Sequence, residues 1–169
     1  MNNHNHDENC SCGIHDQIHA GVSPKEAVAN FRKWEQESLE KFGWYVHYVG
    51  DDREVPTGFN AHTHGLENKY NHLDLQIVCP LPQHVAHGIF WNIVNRIATG
   101  EKFKAGDVVS DIAGNGYKVK FVNAWENDRL LLRVIIPDKH HHLDRDNLTD
   151  NLELQYADLD HEYELGGRD

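Results

Sequence analysis

Residues 117–136 read Tyr-Lys-Val-Lys-Phe-Val-Asn-Ala-Trp-Glu-Asn-Asp-Arg-Leu-Leu-Leu-Arg-Val-Ile-Ile, and this stretch decides the fold class. From Tyr117 to Ala124 polar and apolar residues alternate with period two, as a strand with one buried face requires. Residues 130–136 form a second, apolar and β-branched run, and Glu126-Asn127-Asp128 between the two is turn chemistry. The stretch predicts a β-hairpin.

Working outward, Pro80 and Pro82 open a helix predicted from about Gln83 to Thr99. Val85, Ile89, Ile93 and Ile97 recur at i, i+4, Phe90, Val94 and Ala98 widen the stripe, and Gly100 stops it. Before it, Trp44 to Val49, Phe59 to Leu66 and Leu73 to Cys79 read as strands. An earlier helix starts at Ser23-Pro24-Lys25-Glu26, which combines an N-cap, a first-position proline and a capping glutamate. Ala27, Phe31, Trp34, Ser38 and Phe42 follow at spacings of three and four, and Gly43 is placed to end the helix. Residues 138–151 read as a polar loop, and Leu152 to Leu159 as a last strand before an acidic tail. The sum is an α+β fold, a single domain over 23–169, with a mainly antiparallel sheet of five to six strands and two principal helices. Residues 1–22 read as a polar, His/Cys-rich arm.

The chain has 169 residues and a formal net charge of −11. Leu, Ile, Val and Phe make up about a quarter of it, above the roughly 20% below which a charged chain stays disordered. The acidic balance argues against nucleic acid and anionic membrane as partners, because both need clustered Lys and Arg. The opening MNNHNHDENC does not read as a signal peptide and no apolar run reaches bilayer length, so a soluble cytoplasmic protein is expected. Three cysteines make no disulfide framework, and Cys79, inside an apolar run, reads as a buried small hydrophobe. No phosphate-binding glycine loop, G-x-S-x-G elbow or H-E-x-x-H helix occurs, so no nucleotide or flavin cofactor is expected.

Fourteen histidines are several times ordinary usage, and they point to metal ligation. Cys10-x-Cys12-x-x-His15-x-x-x-His19 offers the thiolates and imidazoles that close a tetrahedral zinc site. The competing reading is a solvated polar arm. In the strand 59–66, His62 and His64 stand at i, i+2 and project from one face. His72 and Asp74 repeat that spacing on the next strand, and antiparallel pairing would bring all four together around an ion with an open position. The competing reading is a solvated sheet face on which these groups merely hydrogen-bond. His84, His87 and Trp91 share one helix face, and His140-His141-His142 lies among aspartates; both are adequately explained as polar surface and turn chemistry.

The order of these motifs resembles a bacterial family known as a domain of unknown function, number 4262. The residues that carry the likeness are Cys10-x-Cys12-x-x-His15, Gly43-Trp44-Tyr45-Val46, His62-Thr63-His64-Gly65-Leu66, His72-Leu73-Asp74-Leu75, Trp91-Asn92, Gly100, Gly106, and Leu154-Gln155 with Asp158 or Asp160. His15 stands where the family has a third Cys, which keeps a zinc-capable ligand. His62 and His64 replace Tyr and an apolar residue, while Leu73 and Asp74 replace Pro and Glu. The resemblance implies one domain and this architecture, and supplies no reaction.

The functional expectation is a small metal-binding protein, zinc first, through His62, His64, His72, Asp74, Cys10, Cys12, His15 and His19, with room for hydrolytic chemistry on an unidentified small molecule. The alternative is a non-enzymatic inhibitor or immunity-type protein whose acidic surface meets a basic partner. A third reading is a ligand-binding domain with Trp34, Trp44, Trp91 and Trp125 around an apolar pocket.

Overall fold

The computed structural model describes residues 13–50 and 55–157. The hairpin forms as its alternation dictates: β5 (Val119–Glu126) and β6 (Arg129–Ile135) pair antiparallel in the register Phe121↔Val134, Val122↔Arg133 and Glu126↔Arg129. Asn127 and Asp128 both take positive φ, at 49° and 59°, the requirement of a two-residue turn matched to strand twist. β4 (Val108–Val109) adds to the outer side of β5.

Two principal helices appear where the capping signals place them. α2 (Pro24–Phe42) is capped by Ser23, whose side chain accepts from the Glu26 N–H, and ends at Gly43 with φ 79°. α4 (Gln83–Ala98) buries Ala86, Ile89, Phe90, Ile93, Val94 and Ile97. Its buried stripe starts at Ala86, leaving Val85 and Ala98, both expected inside, exposed.

Strands β1 (Tyr45–Gly50), β2 (Phe59–His64) and β3 (Leu75–Ile77) complete a six-stranded sheet in the order β1-β2-β3-β6-β5-β4. All described pairings are antiparallel except β3 with β6, which is parallel and is reached by the crossover through α4. One face packs under α4, with Ala61, Leu75, Ile77, Leu132, Val134 and Phe121 in a single core. The opposite face carries Tyr45, His47, Asn60, His62, His64, Gln76 and Arg133, aligned by the strand register. Phe31 of α2 covers His47, and Trp34 covers Tyr45.

Three local expectations are corrected. β2 stops at His64, and Leu66–Tyr70 forms a short helix, α3. Gly13–His19 is helical (α1) and docks on α2, where Asn30 Nδ2 donates to Gln17 Oε1 at 2.9 Å. The last strand is replaced by a 3-10 turn at Leu152–Tyr156: Asn151 enters it at φ 62°, and fully buried Gln155 bonds Ile136 N–H and C=O, so side-chain bonds replace a strand ladder. No helix among the described residues is long and apolar enough to cross a membrane.

Candidate metal centre

The register of β1 and β2 sets Tyr45 opposite His64 and His47 opposite His62. Directly opposed side chains in an antiparallel pair have Cβ atoms roughly 5 Å apart, so the three imidazoles must meet. Ring centroids lie 5.1 Å apart for His47–His62, 4.9 Å for His62–His64 and 6.3 Å for His47–His64. One ring nitrogen of each lies within 4.8 Å of the others. Ligands about 2.1 Å from one tetrahedral ion stand roughly 3.4 Å apart, so modest side-chain rotation closes the difference.

A buried hydrogen-bond chain orients the ring of His62. The Arg133 guanidinium only donates, and its Nε bonds Gln76 Oε1 at 2.8 Å. Gln76 therefore presents Nε2 to Asn60 Oδ1 at 3.2 Å. Asn60 in turn directs Nδ2 to Glu126 Oε1 and the same Oδ1 to His62 Nδ1 at 3.2 Å. Facing that oxygen and Glu126 Oε2 at 3.4 Å, His62 Nδ1 carries the proton. A proton on Nδ1 held by an amide oxygen and a carboxylate is the arrangement that orients metal-binding imidazoles.

His64 is held in its neutral form by its surroundings. Burial, the Arg129 guanidinium and His47 together push its pKa down to about 4. Arg129 Nη1 donates to His64 Nδ1 at 3.0 Å, and Tyr45 stacks on the ring at 5.0 Å. The Tyr45 hydroxyl donates to Glu35 at 2.9 Å; burial and that carboxylate push its pKa well above the ordinary value. Neutral imidazole is the form that binds a cation, so His64 can take one up without releasing a proton near neutrality.

Of the residues expected from sequence, His62 and His64 enter this group. His72 does not. Its Nδ1 donates to Leu73 O at 2.7 Å, its Nε2 accepts from Phe103 N–H at 3.1 Å, and its ring packs edge-on against Phe103. With both nitrogens engaged, His72 is a structural tie to the 103 loop. The physical reason is that β3 begins only at Leu75, after Asn71 turns the chain at φ 51°, so strand alternation does not govern residue 72. Asp74 borders the group without joining it, accepting from Thr63 Oγ1 at 2.9 Å, Leu66 N–H at 3.1 Å and Arg129 Nη1 at 3.4 Å. His19 is exposed at the end of α1 and lies outside the group. Cys10, Cys12 and the side chain of His15 lie outside the described residues. His47 was missed; its one signal is the i, i+2 spacing with Tyr45 inside a recognised strand.

Two neighbouring features complete the surroundings. A cavity of about 620 Å³ runs along β1 between α2 and α4, lined by Phe31, Trp34, Trp44, Tyr45, His47 and Trp91 among others. Trp44, His87 and Trp91 form a ring stack on one wall, at centroid spacings of 6.0–6.4 Å. Trp125 is exposed and belongs to neither wall. Farther away, Asp138 is buried and folds its own loop: burial disfavours its charge, but bonds from His140 N–H, His142 N–H and Nδ1, and Thr149 hold its carboxyl well below the usual range. The 140–142 histidines thus serve a turn.

Comparison with protein families gives one match: the family model described as Domain of unknown function (DUF4262) covers residues 38–135, a span containing all three imidazoles. No curated protein and no solved structure matches.

Proposed function

The chain belongs to the DUF4262 family, whose description assigns no activity, and from its own residues we propose that it is a cytoplasmic protein binding one divalent transition-metal ion, zinc first, on His47, His62 and His64. The observation that carries this reading is the convergence of three imidazole nitrogens within 4.8 Å of one another. Three protein nitrogens leave a fourth position for water or substrate, as hydrolytic zinc sites do. Elemental analysis of protein purified without a nickel column, followed by cobalt(II) titration, tests it. One equivalent is expected, lost on His62→Ala and on His47→Ala and kept on His72→Gln. Metal-free protein that takes up no cobalt, or uptake indifferent to His62→Ala, overturns it.

A second reading is favoured by the aromatic cavity. Trp34 and Trp91 are 45% and 47% exposed while lining it, so apolar surface there awaits cover. Its volume lies within the range of small-molecule sites, and stacked walls suit a planar aromatic molecule. Quenching of tryptophan fluorescence by indole, weakened tenfold by Trp91→Ala, tests this reading; an equal response in the variant excludes it.

A further inference from the structure

β1 is an edge strand. It pairs with β2 on one side, and no described strand takes the other. The cavity of about 620 Å³ adjoins that outer side, as its lining shows: Trp44, Tyr45, Val46, His47 and Tyr48 all contribute to it. Successive residues of a strand point to opposite faces, so a cavity over one face would be lined by every second residue. A cavity lined by consecutive residues follows the backbone edge instead. It is a groove with β1 as its floor. Phe31 and Trp34 of α2 form one wall, over His47 and Tyr45. His87 and Trp91 of α4, stacked with Trp44, form the other.

A strand edge presents backbone N–H and C=O groups, and another strand is what matches their spacing. Laid on β1, such a strand would send alternate side chains to the two aromatic walls. We propose that the groove binds an extended peptide segment of a partner protein, aromatic and basic, paired with β1 as an added strand. The inference rests on the aromatic-cavity reading above and names its partner: the flat molecule is a side chain carried on that strand. Shape and charge select this occupant. A second copy of the chain holds its own β1 at the floor of the same groove, so the helix rims of the two copies would meet before their edges could. Residues 1–12, which lead to Gly13 on the groove wall, contain no Phe, Trp or Tyr to fill it. Among the described lining residues Asp16 is the only permanent charge, and the chain as a whole carries −11, so positive charge beside the aromatic residues is favoured.

Fluorescence anisotropy of a labelled peptide, acetyl-Lys-Val-Trp-Val-Phe-Lys-amide, tests this on the full chain. Saturable binding is expected, weakened about tenfold by Trp91→Ala. Glu in place of both peptide lysines should weaken it as well; equal binding overturns the basic assignment. N-methylation of the peptide separates strand pairing from side-chain contact. Methyl groups on the two Val amides block one edge of the peptide, and methyl groups on the Trp and Phe amides block the other. Only one edge faces β1, so one methylated peptide should lose about tenfold or more in affinity while the other binds as before. Equal effects of the two methylations overturn the added strand, and quenching by indole then still upholds the aromatic cavity. Absence of any response to peptide and indole alike removes both. Peptide binding that appears only after deletion of residues 1–12 gives the groove to that segment, and binding that dissociates a wild-type dimer gives it to a second copy; either overturns the proposal.

Discussion

Gly65→Ala offers the most quantitative test of how the fold positions the site. Gly65 ends β2 directly after His64 and turns the chain into α3 at φ 106°, where L residues are strained. A methyl group there would run into the carbonyl oxygen of Gly43, with Leu39 Cδ2 at 2.9 Å and Trp44 Cα at 3.1 Å. Two of these three atoms are backbone, so nothing cheap can move. Gly100 provides the control: its φ is 104°, nearly the same, and a methyl there meets nothing within 4 Å. Gly100→Ala therefore isolates the torsional cost, of order 1–3 kcal/mol. Gly65→Ala carries that cost plus overpacking worth roughly 1–3 kcal/mol more. With a urea m-value near ~2 kcal/mol/M, the Gly65 variant should unfold about 1 M of urea earlier than the Gly100 variant. Gly43 leads into Tyr45 and His47, so the displaced backbone should also weaken cobalt binding in Gly65→Ala alone. Equal midpoint shifts in the two variants would refute the close approach of residues 43 and 65, and with it this account of why His64 faces His47.

His72→Gln should cost about 1–3 kcal/mol of stability by breaking the tie to Phe103 N–H, with cobalt affinity unchanged; urea unfolding beside cobalt titration checks both. His64 has a depressed folded-state pKa, so its contribution to stability is complete above about pH 6.5 and is lost as pH falls toward 4. The shift from 6.5 to about 4 amounts to roughly 3 kcal/mol, so metal-free wild type should lose about that much more than His64→Gln between pH 7 and 4; parallel pH profiles would exclude the burial of His64. Burial pushes the Cys79 thiol up to about 11, so iodoacetamide should leave it unmodified at pH 8 until urea unfolds the chain, and fast alkylation of native protein would place Cys79 outside the core. Ile93→Ala, in the fully buried stripe of α4, should cost about 2–5 kcal/mol in the same unfolding assay.

Glu126 joins the chemistry of the site to the fold. It ends β5 at the hairpin turn, yet it bonds Asn60 and faces His62, two residues on β2. Short β3 makes this reach possible, since the three residues Leu75–Ile77 leave the end of the β5–β6 hairpin facing β2 directly. The same geometry brings Arg129, three positions along, to His64 and Asp74. One tight turn thus delivers both the carboxylate that orients His62 and the cation that faces His64.

The sequence alone determined what local interactions determine. The 117–136 hairpin, the capped helix from Pro24 and the buried stripe of the helix from Gln83 were legible, because alternation, capping and turn chemistry act over a few residues. The pairing of His62 with His64 was legible for the same reason, as two residues apart on a strand always share a face. Tertiary structure alone decided which strand lies beside them. His47 sits fifteen positions before His62 and no local rule links the two; only the register of β1 against β2 makes them neighbours. His72 looked equivalent to His64 by spacing, but the turn at Asn71 removed it from strand geometry and Phe103 took its lone pair. Gln155 sat in a segment patterned like a strand, and its side-chain bonds to Ile136 held that segment as a 3-10 turn instead. Spacing in sequence fixes the face on which a side chain lies; what it meets there is set by pairing energies summed over the whole sheet.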